Sequence, residues 1–272
     1  RDAQESRGLG DVYKRQGDFQ GASAEALAQA RQGGNVNCSV TVPAGEEASV
    51  WINYTVTEAV PRLVGQLKIQ AGKDSRLHVY ELFEGDAAEG LVNLLQFVEA
   101  EDGAQVTISK VQVHGEQVRH IDQRLTREGK EAHVKFVSAE VGGRQNLVYV
   151  RTDLDHDEAE FKSASMYLGS DDQLFDYSYW VPNKGCKTDT DILTTGALMG
   201  KSKKYFRGTI DFLRGGKKAV GNESDVCLLL NKGVHSISVP LLLCKEDDVV
   251  GNHASSSGQI DQDMLFYLMS RG

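Results

Sequence analysis

The chain has 272 residues, 40% of them hydrophobic and 25% charged, with a formal net charge of −9. That is ordinary globular composition, long enough for one large core or two small ones. The acidic balance argues against a general nucleic-acid binder, which needs a basic surface for phosphate. No run approaches the roughly 18 apolar residues of a membrane helix; the densest is Val239-Pro240-Leu241-Leu242-Leu243-Cys244. Neither nucleic acid nor a membrane is therefore an expected partner. Without an apolar segment near the N-terminus to mark a signal peptide, a cytoplasmic location is expected. Cys38, Cys186, Cys227 and Cys244 are scattered, with no C-x-x-C pair to make a self-contained zinc or ferredoxin-type site. So few cysteines in so long a chain read as reduced thiols.

Residues 1–16 lack apolar periodicity and read as a non-native leader, set apart from fold reasoning. Residues 17–35 read as a short N-terminal helical segment, with helix formers from Ser23 to Gln32 and Gly33-Gly34 as the stop. From residue 36 the pattern turns to short β-like runs: Val40 and Val42, then Val50, Ile52 and Tyr54, then Leu77, Val79, Leu82 and Phe83.

Val106 and Ile108 alternate with polar residues, but Val111 and Val113 do so one residue out of phase. Such a slip turns the apolar set to the other face unless the chain bends, so a corner between two short strands is expected there. Val134 and Phe136 followed by Ala139 and Val141 repeat the step. Further runs follow at Leu147–Val150, Tyr205-Phe206, Ile210 and Phe212, Val226, Leu228 and Leu230, and Ile237, Val239 and Leu241. Strands on a spacing of roughly 20 residues suggest stacked coils. Periodicity alone leaves a sandwich or barrel equally open.

Ser255-Ser256-Ser257-Gly258 reads as a loop, and Asp261 as the N-cap of a closing helix with Met264, Leu265, Phe266, Leu268 and Met269 on its apolar face. Residues 36–255 thus form the β core, and 256–272 the start of a C-terminal helical region that ends early.

Several motifs fail on inspection. Gly196-Ala197-Leu198-Met199-Gly200-Lys201-Ser202 is one residue short of a phosphate loop, with Thr195 in place of the first glycine. No nucleotide site is expected, only a turn between coils. Asp153-Leu154-Asp155-His156-Asp157 starts like a calcium loop but has Glu158 where glycine is needed and Ala164 where a bidentate glutamate is needed. Lys201, Lys203, Lys204 and Arg207 form a basic cluster that reads as a charged outer face. No catalytic serine or zinc-protease motif occurs.

Tyr205-Phe206-Arg207-Gly208-Thr209-Ile210-Asp211-Phe212, Ala219-Val220-Gly221-Asn222-Glu223 and Cys227-Leu228-Leu229-Leu230 resemble the SufB/SufD family. So do Ser238-Val239-Pro240-Leu241-Leu242-Leu243, the run Gly251-Asn252-His253-Ala254-Ser255-Ser256-Ser257-Gly258-Gln259-Ile260-Asp261, and the closing Leu265–Gly272. The similarity is clear from about Met166 and weaker back to about Val36. It implies a mainly β chain, a right-handed parallel β-helix with short helical flanks. It also implies a non-catalytic scaffold for iron–sulfur cluster assembly, paired with a SufB-type paralogue and carried on a SufC-type ATPase. The docking helices for that ATPase are missing from this sequence, and a homodimer is the alternative pairing. SufB-type chains carry an acid–His–acid run and a cysteine about 28 residues earlier; here the run is Asn252-His253-Ala254 and the counted-back position is Asp225, which favours the SufD branch.

By the same resemblance His253 is the interface residue implicated in cluster formation. A neutral imidazole can ligate iron, but one histidine cannot hold a cluster, so the other ligands must come from a partner chain. No cofactor is expected on this chain alone, only a transient cluster or iron at the interface. Cys244 and Cys227 sit in apolar runs and are expected to be buried and inert. His235, His114 and His120 show no ligand-like company. The rival readings are a lyase-like carbohydrate-active β-helix, with Asp171, Asp172, Asp189 and Lys201 in one groove, and a β-helix that self-associates through its edge strands.

Overall fold

A computed structural model describes Phe19, residues 21–259 and residues 261–272. The leader proposed for residues 1–16 lies outside the described residues. Strands β1 (Val36–Val42), β3 (Arg62–Ala71), β5 (Leu91–Ala100), β7 (Arg119–Glu128), β9 (Gln145–Asp153), β11 (Leu174–Asn183), β13 (Lys203–Phe212) and β15 (His235–Cys244) form one eight-stranded sheet in that order. The second sheet runs from β2 (Glu47–Val56) through β4 (Arg76–Gly85), β6 (Gln105–Gln112), β8 (His133–Glu140), β10 (Glu160–Gly169), β12 (Asp189–Leu198) and β14 (Ala219–Leu229) to β16 (Val249–Gln259). Neighbouring strands pair in parallel, as in Val36 with Gly65 and Gly65 with Leu94. Each coil contributes one strand to each sheet, and the chain is a parallel β-helix. The spacing of roughly 20 residues read from the sequence is not the repeat; equivalent positions such as Thr41 and Gln70 lie 29 apart.

Parallel pairing sets each side chain on top of its register partner at about 4.8 Å. Like residues therefore stack into inward-facing rows. Leu67, Ile69, Leu77, Val79, Val98, Val106, Ile108, Val134 and Phe136 make such a continuous apolar core. The first sheet's outer face carries helix α1 (Ala24–Gln32), capped by Ser23 Oγ, which accepts from the Ala26 N–H at 3.1 Å, and ended at Gly33. Leu27 and Ala30 bury against Leu95, while Asn93 Nδ2 donates to Ala26 O at 2.8 Å. Helix α2 (Gln262–Ser270) follows the last strand, and Asp261 caps it by accepting from the Asp263 and Met264 N–H groups at 2.9 and 3.1 Å. Ser23, counted among the helix residues in the sequence, is the N-cap, and Asp261 falls where the sequence puts it. The segment Ser255–Gly258 does not: it continues the β16 ladder, pairing with Asp225 through Leu228, because backbone pairing needs no apolar side chain.

The expected corners at residues 109–110 and 137–138 are absent. β6 and β8 each run straight through, and the apolar phase slips because the inward positions turn polar. Val111 and Val113 face outward, 43% and 45% exposed, while Lys110 and Gln112 point in; likewise Glu140 points in and Val141 out. Lys110 Nζ lies 2.9 Å from Asp122 Oδ2 and 2.9 Å from Glu140 Oε1. Arg124 Nη2 lies 2.7 Å from the same Asp122 oxygen and 3.0 Å from Glu81 Oε2, to which Gln96 Nε2 also donates at 3.3 Å. Burial pushes the Glu81 carboxyl up. Asp122 is held below its ordinary value despite burial, because Arg124 and Lys110 flank it.

Removing one partner from such a cluster strands the others without solvent, a cost of about 3–5 kcal/mol. Lys110→Met should therefore lower the unfolding free energy extrapolated from urea titration by an amount in that range, with part of the loss recovered by adding Glu140→Leu. A loss below ~1 kcal/mol would show that the cluster is hydrated rather than dry.

Candidate functional site

The two ends of a stacked-coil fold are unlike its middle, since the last coil has no neighbour to cover its inward row. β15 and β16 are those last strands, and among the described residues no further strand pairs beyond them. In the coil beneath, Glu223, Asp225 and Cys227 on β14 face in and are buried. Their register partners on β16 are His253, Ser255 and Ser257, all exposed. On β15 the inward row is Ser236, Ser238, Pro240, Leu242 and Cys244, stacked on Lys204, Phe206, Gly208, Ile210 and Phe212 of β13. The mouth of the helix is thus an open end lined by one imidazole, small hydroxyls and a thiol.

His253 stands at this mouth. Cys227 lies one coil deeper, 2% exposed and buried as expected. Cys244 does not: it is exposed, because its run of leucines alternates Leu241 and Leu243 outward and leaves Cys244 on the uncovered inward row. Among the described residues no group of three or more His, Cys, Asp or Glu stands close enough to hold a metal ion. The mouth offers donors one at a time.

Beneath His253 is chemistry that the sequence reading passed over. Lys204, grouped there with the outer-face cations, is fully buried and ion-paired with Asp225. Glu223 is buried with neither carboxylate oxygen hydrogen-bonded. It extends toward Gly208, where a Cβ would lie only 1.8 Å from its Oε1, so a side chain at that position would have to displace the carboxyl. Burial, and then the neighbouring Asp225, push the Glu223 carboxyl up to about 7. The sequence signal was present: Glu223, Asp225 and Cys227 alternate strictly, but with Val226 and Leu228 between them the apolar set looked like the inner one.

The outward face of β15 is apolar. Ile237, Val239, Leu241 and Leu243 are 49%, 53%, 46% and 36% exposed on a sheet edge whose far side is unpaired. An exposed hydrophobic edge strand is a template for pairing with another chain.

Two other sites suggested by the sequence are not assembled. Gly196–Leu198 lies within β12, and β13 follows the next turn in place of a helix, so there is no phosphate loop. Asp172 and Lys201 do line one groove, but Asp189 opens β12 in the other sheet. A separate groove of about 560 Å³ includes Glu99, Asp153 and Arg127. Two of its acids are engaged by arginines, with Arg127 Nη1 3.9 Å from Glu99 and Arg151 Nε donating to Asp153 at 2.9 Å, and none of the residues in the proposed lyase-like set lines it. The lyase-like arrangement does not form.

The class so defined is a parallel β-helix whose largely apolar interior carries buried ion pairs and whose last described coil is uncovered beside an apolar outer face. Residues 54–272 match the SufBD core domain of the SUF system for FeS cluster assembly, and the chain belongs to that family. It is 24% identical over 185 residues to the iron–sulfur cluster assembly protein SufD of Bacillus subtilis, covering 68% of this chain and 42% of that protein. A SufBD family protein of Mycobacterium leprae is 26% identical over 181 residues, covering 63% of this chain and 46% of its own length. One from Staphylococcus epidermidis is 23% identical over 172 residues, covering 62% and 36%. The chain thus spans less than half the length of these relatives.

The raised Glu223 carboxyl has a measurable consequence. Its folded value lies above the unfolded one, so between about 4.5 and 7 the folded state holds the proton more tightly. Stability from this group is full at low pH and is lost as the pH rises through that window. Glu223→Gln should remove the loss, so the variant gains on the wild type as pH rises from 4.5 to 7.5, by ~1 kcal/mol per pH unit at most. Parallel stability-versus-pH curves for the two proteins would contradict this.

Proposed function

We propose that the chain acts in iron–sulfur cluster assembly as a non-catalytic scaffold, with its open end as the assembly surface. The observation that carries this reading is the position of His253: an exposed imidazole on the uncovered inward row, beside an unpaired sheet edge with an apolar outer face. A SufB-type chain pairing along β15 and β16 would cover the exposed aliphatic row and bring its own donors to the mouth. The cluster is cargo there, held between chains. His253 would donate a ring-nitrogen lone pair in its neutral form, and the Cys244 thiolate could supply a second, softer donor. Membership of the SufBD family supports the pathway. Energy from ATP would enter through a SufC-type partner, since this chain forms no phosphate loop. No helix among the described residues is long and apolar enough to cross a membrane.

Co-expression with a SufB-type and a SufC-type partner tests the reading. His253→Ala should leave the complex intact by size-exclusion chromatography and lower its iron and sulfide content several-fold. Unchanged cluster content in an intact complex would remove His253 from the mechanism. A chain that forms only its own dimer would replace the heteromeric scaffold with a self-associating one.

A further inference from the structure

Lys201 and Lys203, within and just after the failed phosphate loop, belong to a second arrangement on the flank of the first sheet, which meets the last coil only at Gly233 and His235. Along the first sheet, Gln145 of β9, Leu174 of β11, Lys203 of β13 and His235 of β15 are register partners in one outward row, at about 4.8 Å per step. Arg144 precedes β9 and has its backbone pinned at both ends: its N–H donates to Val118 O at 2.7 Å and its carbonyl accepts from Leu174 N at 3.0 Å. Lys201 sits on the turn before β13, where Gly200 adopts φ +68°. Arg144, Lys201, Lys203, Tyr205 and His235 line one groove of about 550 Å³, in which Asp172 is the carboxylate. None of Arg144, Lys201 and Lys203 forms an ion pair among the described residues, and all three are exposed.

Three cations without an ion pair, set against the single carboxylate of Asp172 along one concavity, are a local reversal of sign on a chain of net charge −9. A concave, low-dielectric wall focuses such a field, and a guanidinium beside ammonium groups suits an oxyanion with more than one charge. A monocarboxylate would leave most of that charge unmatched. The groove volume falls in the range of about 300–1,000 Å³ that holds small molecules. Ser202 Oγ is turned away, donating to Met199 O at 2.7 Å, so recognition rests on the side-chain cations and the Tyr205 hydroxyl rather than on a phosphate-loop cradle.

We propose that this groove, on the flank of the β9–β15 sheet, binds a small molecule bearing a di- or polyphosphate group. Calorimetric titration of the full chain with pyrophosphate, with ATP in the absence of magnesium, and with polyglutamate tests it. Pyrophosphate and ATP should both bind, more weakly as salt is raised. Lys201→Gln with Lys203→Gln should weaken binding about tenfold, since charge-assisted hydrogen bonds to phosphate are the strong ones. Lys217→Gln with Lys218→Gln, on another turn, should change it less than twofold. Binding of ATP alone would place the contact on the nucleoside and overturn the assignment to phosphate. Binding of polyglutamate alone would make the groove a docking site for acidic polypeptide and overturn it too. So would no heat with any ligand, or equal weakening in both double variants. Circular dichroism confirms that the variants keep their strands, and the single variant Arg144→Gln repeats the test should the Lys201/Lys203 pair misfold.

Discussion

Every inward-facing side chain in a stacked-coil fold is covered by the coil above it, and the last coil has none. This one constraint organises the molecule. It makes His253 and Cys244 exposed although they occupy rows that are buried one coil earlier. It leaves backbone donors and acceptors of β15 and β16 unpaired on one side, next to four outward aliphatic side chains. The exposure of these residues is therefore a property of their place on the last described coil, more than of any residue motif.

The interior adds a second demand. Its rows begin apolar, turn to Glu81, Lys110, Asp122, Arg124 and Glu140 in the middle coils, and end with Lys204, Glu223 and Asp225 beneath the mouth. Buried charges contribute little net stability over well-packed apolar groups, yet they penalise misplacement strongly. A coil slipped by one residue would turn Lys110 to solvent and leave Glu140 and Asp122 unpaired. The ion pairs thus fix register in a fold whose apolar rows are nearly interchangeable. Glu223, which like Glu128 has neither carboxylate oxygen hydrogen-bonded, lies in the row directly below His253.

Much of this was legible in the sequence, and the parts that were not share one cause. The helix cap at Asp261 was readable because capping is local chemistry. Resemblance in Tyr205–Gly272 gave the family and hence the parallel β-helix. The rule that the apolar set of an alternating strand faces the core failed in β6, β8, β14 and β15. There valines, leucines and isoleucines face out, and lysine, carboxylates or serine face in. From that inversion came the corners that do not exist and the neglect of Glu223, while Lys204 on β13 is a buried cation paired with Asp225 of another strand and Cys244 is exposed because its inward row has no coil above it. Nothing in a strand's own sequence says which face is the inside when its buried partners are charges supplied by other coils. The Ser255–Gly258 strand was hidden for a different reason, since its pairing rests on backbone alone.

The central claim is that the edge formed by β15 and β16 is completed by another chain. Hydrogen–deuterium exchange read peptide by peptide, with and without a SufB-type partner, addresses it directly. The account predicts that amides of 235–244 and 249–259 exchange fast in the chain alone and become strongly protected in the complex, while β5 to β9 are unchanged. A stable complex in which those two strands exchange as fast as before would contradict it.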